Sequence, residues 1–344
     1  MTTGLYPVSL AEWSRVWLRR EPAEAELTNF APGRTARDKI LAFEIAFGRL
    51  ESTRPREQWA ALLQVATIDL GTARTIEPHL DALTLRTEAG LHPTDEETFW
   101  GVYAAEVAGK RLEADEHSEV ALTGEKPWCS LAGELTHAIV TAWVGDQRQT
   151  FAIPLTHSSV TVVEQPWHSR GLHEIPSGPI RCDATPAAPV GEPGWYLQRP
   201  GFWWGAIRVA ACWLGGAIGM ARLAASRHAT RPQPEPERNV LLGQLDAHIY
   251  AGLTALDHAA TVSEMKPPQA SEDVRKLALR VRNTVYRACQ QIQHLSRELA
   301  GPEMLTGHPQ FSKVDADLTV YLSQHHGGRD EAELGRLLLL EDGS

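Results

Sequence analysis

The chain has 344 residues, of which 43% are hydrophobic and 22% are charged, so it can bury a large core and does not belong to the disordered class. Its formal net charge of −10 argues against nucleic acid or an anionic membrane surface as the main partner. Its four cysteines are scattered without a CxxC pair, which argues against a disulfide framework or a zinc site.

Residues 1–95 carry a helical pattern and are predicted to form an N-terminal α-helical domain. LAEWSRVWL repeats apolar residues every three or four positions, as a half-buried helix does. A longer apolar pattern covers residues 59–90, with an interruption expected at Pro78 and an end at Gly90.

The period changes over residues 96–196, which are predicted to form a central antiparallel β-barrel domain. Short segments rich in Val, Ile and Thr alternate here with polar turns: EVALTGEKPW, THAIVTAWV, RQTFAIPL, SSVTVVEQPW and GPIRCDAT. The fold class is therefore α+β and multi-domain.

Helical patterns return over residues 197–344, which are predicted to form a C-terminal domain resembling a four-helix bundle. The Pro-rich stretches RPQPEPE and KPPQ separate the helices, and the glycines of HHGG are expected to end the last of them. LGGAIG lies inside an apolar helical pattern, so it predicts close helix packing in preference to dinucleotide binding.

The most apolar stretch, 209–221, is shorter than the roughly 18 residues that a membrane span needs. We predict a buried helix there and no membrane span. The N-terminal sequence has no apolar run before a small-residue cleavage site, so we expect a reduced, cytoplasmic location.

The turn in LTGEKPWCSLAG, residues 122–133, displays Trp128, Cys129 and Ser130 and is the first candidate site. One interpretation is a core tryptophan followed by a turn serine. The other is an aromatic side chain that covers a flat ring system, whose heteroatoms bond the serine hydroxyl and the turn amides; a flavin has this shape and these polar edges.

The stretch QHHGGRD places His325 and His326 at the end of a predicted helix. Cations near a helix C-terminus interact favourably with its carbonyl groups, which is a purely structural explanation. The alternative is a general base at a pocket. The two conflict, because a helix end that favours imidazolium leaves less free base at neutral pH.

The α–β–α order, together with LTGEKPWCSLAGELTHAIVTA, resembles the acyl-CoA dehydrogenase family, of which this chain would be a divergent, short member. In that family a strand reading roughly L-N-G-x-K-x-[WF]-x-[ST] leads into the loop behind the FAD ring. The positions that match this pattern are Thr123, Gly124, Lys126, Trp128 and Ser130.

The resemblance implies an FAD site. Trp128 would pack along the flavin, with Cys129 in the same turn, and the Ser130 hydroxyl would reach its N5 edge. The backbone around Val102 and Tyr103 would face the pyrimidine side.

The resemblance also implies more distant contacts. Gly301, in LAGPEML, stands where the family meets the adenine end of FAD, and Arg208 in the first C-terminal helix is assigned to the substrate. Family members carry FAD sites at subunit boundaries, so a homodimer or homotetramer is expected.

The implied reaction removes an α-proton from an acyl thioester, an acyl-CoA or acyl-carrier substrate, and transfers a β-hydride to the flavin, which an electron acceptor then reoxidises. The family's catalytic glutamate is absent from its usual places. Alignment of DADLTVYLSQHHGG with that segment puts His325 or His326 in its position.

Two alternatives stay open. Some relatives on this fold are monooxygenases that receive reduced flavin from a partner reductase and use a histidine in this late segment with a serine near the flavin. A non-catalytic descendant that binds a ligand without turnover is the other.

Overall fold

The computed structural model describes residues 7–48, 50, 55–91, 97–115, 120–199, 201–229, 236–265 and 272–341. In this part of the chain, the first helices are α1 (Leu10–Val16), α2 (Glu24–Asn29), α3 (Ala36–Phe47), α4 (Pro55–Ala66) and α5 (Leu70–Glu88). The strands are β1 (Trp100–Tyr103), β2 (Leu112–Asp115), β3 (Ala121–Lys126), β4 (His137–Val144), β5 (Gln147–Pro154), β6 (Val160–Val162), β7 (Ile180–Pro186) and β8 (Ala188–Val190). The remaining helices are α6 (Trp195–Gln198), α7 (Gly201–Ala229), α8 (Pro236–Met265), α9 (Glu272–Gly307), α10 (Pro309–Leu322) and α11 (Gly328–Glu341).

The apolar pattern predicted as one helical stretch over residues 59–90 forms two helices. Asp69 separates them, because its carboxylate accepts a hydrogen bond from the backbone N–H of Thr72 at 2.9 Å and so caps the start of α5. Pro78 does not interrupt α5, which continues through it to Glu88. The proline has no N–H, so the carbonyl of Arg74 lacks its usual helical partner.

The eight strands form one mixed sheet, which corrects the expectation of a purely antiparallel barrel. β1 runs parallel to β4, with Trp100 opposite His137, and β2 also runs parallel to β4. The β2–β3 hairpin lies in the long connection between β1 and β4, and such a connection is what a parallel pair requires.

The sheet curls round on itself through the segment 180–190. This segment pairs first with β3 and β6 as β7, and then with β5 as β8, after only one intervening residue. The curled sheet packs beside α5, which contacts β1 and so places the N-terminal helices against one of its edges.

The apolar helix α7 lies at the centre of the helical layer, against α4, α5, α9 and α10. A Cβ atom at Gly215 would collide with the carbonyl oxygen of Leu63, and one at Gly219 with that of Thr67. The prediction of close helix packing at LGGAIG is therefore confirmed.

Among the described helices, α7 is the one long and apolar enough over Gly201–Ser226 to cross a membrane by composition alone. However, 78% of its most apolar window is buried inside the protein, as expected for a core helix. The four cysteines are free and buried, in agreement with the prediction of no disulfide framework.

The glycines of HHGG do not mark the end of the helices, because α11 begins at Gly328 after α10 ends at Leu322. One continuous apolar core draws residues from all three predicted segments. We retain the division 1–95, 96–196 and 197–344 as a proposal; its second boundary falls within α6.

Candidate functional site

A cavity of about 940 Å³ lies where β1 meets the helices α5, α7, α9 and α11. Val102 and Ala104 line it from the sheet side, and Trp203 and Val209 line it from α7. Of the residues singled out in the sequence, Val102 and His326 are part of this lining. The cavity is large enough for a drug-sized ligand or a flavin ring system.

The turn that carries Trp128 projects its aromatic ring outward. Trp128 is 55% exposed and has a φ of 60°, so the interpretation as a core tryptophan is wrong. The N–H of Cys129 donates to the carbonyl of Gly178 at 2.8 Å, and the N–H of Leu131 to that of Pro176 at 2.9 Å. These bonds hold the turn open in a backbone conformation that a tryptophan seldom adopts.

Cys129 itself points into the core, where its thiol lies 3.2 Å from the carbonyl oxygen of Lys126. Burial raises the pKa of this thiol to about 12, so it stays protonated. The role of Cys129 as a cofactor contact stays a prediction.

Ser130 adjoins the cavity through Arg74, which lines it. The Ser130 hydroxyl shares a 2.8 Å hydrogen bond with the Ser177 hydroxyl and accepts from Arg74 at 3.3 Å. The phenol of Tyr103 donates to the Ser130 carbonyl at 2.9 Å, and burial holds its pKa well above the usual value. The structure thus brings Ser130 and Tyr103 together next to Val102, which lines the cavity.

A buried carboxylate, Glu77, lies on the cavity wall and was missed in the sequence. It is 7% exposed, and no hydrogen bond or ion pair within 4 Å reaches it from the residues the structure describes. Burial raises its pKa to about 7, against the attraction of Arg208. Glu77 can therefore hold or release a proton near neutral pH.

A sequence signal for Glu77 does exist. It lies four residues after Ala73 and three before Leu80, both fully buried, so it falls on the apolar face of its helix. A single carboxylate on such a face indicates either a buried ion-pair partner or a functional site.

Two arginines flank an aromatic pair at the inner end of the cavity. The guanidinium of Arg282 lies 4.8 Å from the ring centre of Trp213, and that of Arg74 lies 5.6 Å from the ring centre of Tyr321. The two rings meet edge to face at 6.2 Å. Arg282 also donates to the carbonyl of Ala206 at 2.7 Å.

The two predicted catalytic histidines occupy different environments. His325 is buried at 7% exposure, has a hydrogen bond at each ring nitrogen and does not line the cavity. His326 does line the cavity; its side chain is 65% exposed and its Nδ1 lies 3.8 Å from Asp330. The structure therefore supports His326, not His325, as a residue available to a ligand.

Arg208 and Gly301 do not line the cavity. Arg208 is buried and pairs with Asp81 at 3.2 Å, so it supports the cavity wall from behind. Gly301 lies at a kink in α9 with a φ of 73°. The roles that the resemblance implied for Arg208 and Gly301 stay predictions.

No known protein-family model matches the sequence, and no curated protein matches it. Solved structures do match its fold. KijD3, in a complex with FMN and dTDP-3-amino-2,3,6-trideoxy-4-keto-3-methyl-D-glucose, superposes with a TM-score of 0.75 at 18% identity, over 95% of this chain and 94% of that one.

Two further structures are similar to the chain. FMN-bound TdsC, a dibenzothiophene monooxygenase from Paenibacillus sp. A11-2, gives a TM-score of 0.74 at 16% identity over 96% of each chain. The methanesulfinate monooxygenase MsuC from Pseudomonas fluorescens gives 0.72 at 16% identity, over 96% of this chain and 95% of that one. The chain has the acyl-CoA dehydrogenase-like fold.

Proposed function

We propose that this chain is a flavin-dependent monooxygenase that uses FMN, supplied in reduced form by a partner reductase. The observation that carries the proposal is the 940 Å³ cavity, whose lining residue Arg74 donates a hydrogen bond to Ser130. Support comes from the fold, because KijD3 and TdsC hold FMN and TdsC and MsuC are named monooxygenases.

The Trp128–Ser130 turn has side chains that fit a flavin ring. The exposed indole of Trp128 offers a flat apolar surface on which an isoalloxazine can stack. The Ser130 hydroxyl, which accepts a hydrogen bond from Arg74 at 3.3 Å, offers a hydrogen bond to a polar ring edge. The Trp128 and Ser130 side chains would hold the isoalloxazine.

FMN replaces FAD as the proposed cofactor. The contact expected at the adenine end, Gly301, lies at a kink in α9 and not on the cavity wall. The solved structures of KijD3 and TdsC with a bound flavin name FMN. These two observations favour the smaller cofactor.

When bound in reduced form, the flavin supplies two electrons to molecular oxygen, one atom of which enters the substrate while the other leaves as water. The chain's own residues would provide the setting. Helices α5, α7 and α9 line the cavity, and Glu77 on α5 can hold a proton at its carboxyl group.

A second candidate is dehydrogenation of an acyl thioester, the reaction that the sequence resemblance implies. Glu77 favours it, because a carboxylate without a hydrogen-bond partner among the described residues and with a pKa of about 7 could accept the α-proton. It would replace the glutamate that the family carries elsewhere in its sequence.

One set of experiments separates these candidates. The purified protein is titrated with FMN and FAD, each oxidised and reduced, and is then supplied with NADH, a flavin reductase and ¹⁸O₂. We expect tighter binding of reduced FMN and label in the product of a candidate substrate. Bleaching of bound flavin by acyl-CoA without oxygen would support the dehydrogenase, and binding of neither flavin would overturn both.

A further inference from the structure

Arg74 and Arg282 are the buried or half-buried arginines of the cavity that have no carboxylate partner among the described residues; Arg329 also has none, but it is exposed. Arg199, by contrast, donates to Asp81 and to Glu88, each at 2.8 Å. Arg275 pairs with Glu333 at 2.5 Å. The two unpaired guanidinium groups lie at the inner end, on either side of the Trp213–Tyr321 pair.

Of these two arginines, Arg282 is the stronger indication of a binding site for an anion, because its side chain is buried. Its exposed fraction is 8%, and its recorded hydrogen bond within the described residues is the one to the carbonyl of Ala206. A guanidinium has five N–H donors, so most of them have no protein acceptor. A buried charge without an opposite charge is costly, and burial lowers the pKa of Arg282 for that reason.

The remaining donors of Arg282 are not enclosed by the protein. None of its nitrogen atoms is both fully buried and without a hydrogen-bond partner, and the residue lines the cavity. These N–H groups therefore face the cavity. Their natural ligand is an oxyanion, which a guanidinium binds through two parallel hydrogen bonds.

We propose that the inner end of the cavity, between Arg74 and Arg282, binds the small oxyanion group of the substrate, a carboxylate or a sulfinate, and that Glu77 takes up a proton as this group binds. This rests on the proposed function, since it names the substrate class of the same cavity. The protonated Glu77 donates a hydrogen bond to the anion, where an ionised Glu77 repels it.

Glu77 is a carboxyl group of the cavity wall whose charge changes around neutral pH, and His326 lines the same cavity from the α10–α11 connection. The charged groups that act on it are Arg74 and Asp81 on its own helix, Arg208 on α7 and Arg282 on α9. Burial acts to raise the pKa of Asp81, but Arg199 and Arg208 outweigh it and hold that pKa below the usual value. Burial keeps Tyr196, Cys212 and Tyr321 neutral by raising their pKa values.

The binding constant then depends on pH in a defined way. If the anion binds to protein with protonated Glu77, its dissociation constant is level below a pH of about 7 and rises tenfold for each pH unit above it. Between pH 6 and pH 8 the affinity falls by about tenfold, with the uptake of close to one proton at pH 8.

The test is calorimetric titration of flavin-free protein with propionate and with methanesulfinate, at pH 6 and pH 8, in two buffers of different ionisation enthalpy. Arg282→Gln should weaken binding by about tenfold or more. Glu77→Gln should retain binding and lose its pH dependence. The control Arg280→Gln removes a charge from the same helix but outside the cavity, so it should bind as the unchanged protein does.

Circular dichroism and thermal unfolding show that each variant is folded before it is titrated. Binding of neither probe up to millimolar concentration, equal affinity in Arg282→Gln, or a persistent pH dependence in Glu77→Gln would each overturn the proposal. Because no flavin is present, a protein that fails as a flavoenzyme can still bind the oxyanion, and the two proposals fail separately.

A final titration distinguishes an oxyanion of the substrate from the phosphate group of the cofactor as the ligand of these arginines. The probes are added to protein saturated with FMN and, separately, with riboflavin, which has no phosphate. Retained binding in both supports the substrate site. Loss of binding with FMN alone would assign Arg74 and Arg282 to the cofactor phosphate and overturn the substrate class.

Discussion

The imidazole of His325 donates from Nε2 to the side-chain oxygen of Asn283 over 2.8 Å and accepts at Nδ1 from the N–H of Gly327 over 3.0 Å. Its ring stacks on Tyr286 with centres 4.0 Å apart. Both nitrogens are thus engaged within the protein. Burial, followed by the nearby charge of Arg282, lowers the pKa of His325 and keeps it neutral.

His325→Ala should destabilise the fold by about 3 kcal/mol, because it leaves a buried amide oxygen without its donor and removes a stacked ring. Urea unfolding at neutral pH measures the loss. His326→Ala is the matched control, and its effect should stay within about 0.5 kcal/mol since that side chain is mostly exposed.

The pH dependence of the free energy of unfolding of the same two variants provides a second check. The folded-state pKa of His325 is below that of the unfolded chain, so the unfolded state binds a proton first as the pH falls below about 6.5. His325 therefore subtracts stability in mildly acidic solution. That contribution should vanish in His325→Ala; an unchanged slope of stability against pH would contradict a neutral, buried His325.

Glu77 should impose the opposite pH dependence on stability. Its folded-state pKa is raised from 4.5 to about 7, so its protonated form favours the folded state below about pH 4.5, and this advantage is lost as the pH rises through 7. Glu77→Gln cannot lose a proton. Its melting temperature relative to the unchanged protein should therefore be higher at pH 8 than at pH 5.

Glu298→Gln is the control for Glu77→Gln, since Glu298 is an exposed glutamate on α9. Differential scanning calorimetry should show that the melting temperature of this variant differs from that of the unchanged protein by the same amount at pH 5 and at pH 8. If Glu77→Gln also shows a constant difference, the carboxyl group does not titrate near neutrality.

Periodicity was sufficient to predict most of the strands and the long helices. THAIVTAWV and RQTFAIPL became β4 and β5, which are buried over several consecutive residues and so on both faces of the sheet. The hydrogen bond that divides α4 from α5 at Asp69 was missed, because apolar spacing alone continues across residues 66–70. The four-residue strands β1 and β2 are too short to show a period.

The candidate site was only partly accessible from sequence. The Trp128 turn could be found because Gly and Pro mark it locally. Glu77 gains its properties from Arg208 and Arg282, which come from α7 and α9 and approach it only in the folded chain. For the same reason the sequence could not separate His325, which points to Asn283, from the adjacent His326 on the cavity.

Lys313 holds three carboxylates together and should be essential for stability. Its amine lies 3.0 Å from Asp69, 2.7 Å from Glu174 and 2.5 Å from Asp317. Asp69 and Asp317 are almost fully buried, so Lys313→Met would leave them without their cation and should cost about 3 kcal/mol or more.

Lys313→Arg keeps the charge and serves as the control, with a smaller loss expected. Burial raises the pKa of Asp317, with Lys313 acting against it, so removal of the lysine should raise it further. The defect of Lys313→Met should then shrink in acid. Equal stability of the two variants in urea would show that the amine does not balance these carboxylates.

Trp128 tests the proposed cofactor contact without disturbing the core. Its side chain is 55% exposed, so Trp128→Ala should change the free energy of unfolding by no more than about 0.5 kcal/mol. If the indole stacks on the flavin, its loss should cost about 1 kcal/mol of binding, or about fivefold in the Kd for FMN measured by fluorescence quenching. Tyr250→Ala removes an aromatic ring of similar exposure from α8 and should leave this Kd unchanged. An equal Kd for FMN in Trp128→Ala and Tyr250→Ala would show that the flavin does not contact the Trp128 indole. The flavin would then bind away from this turn.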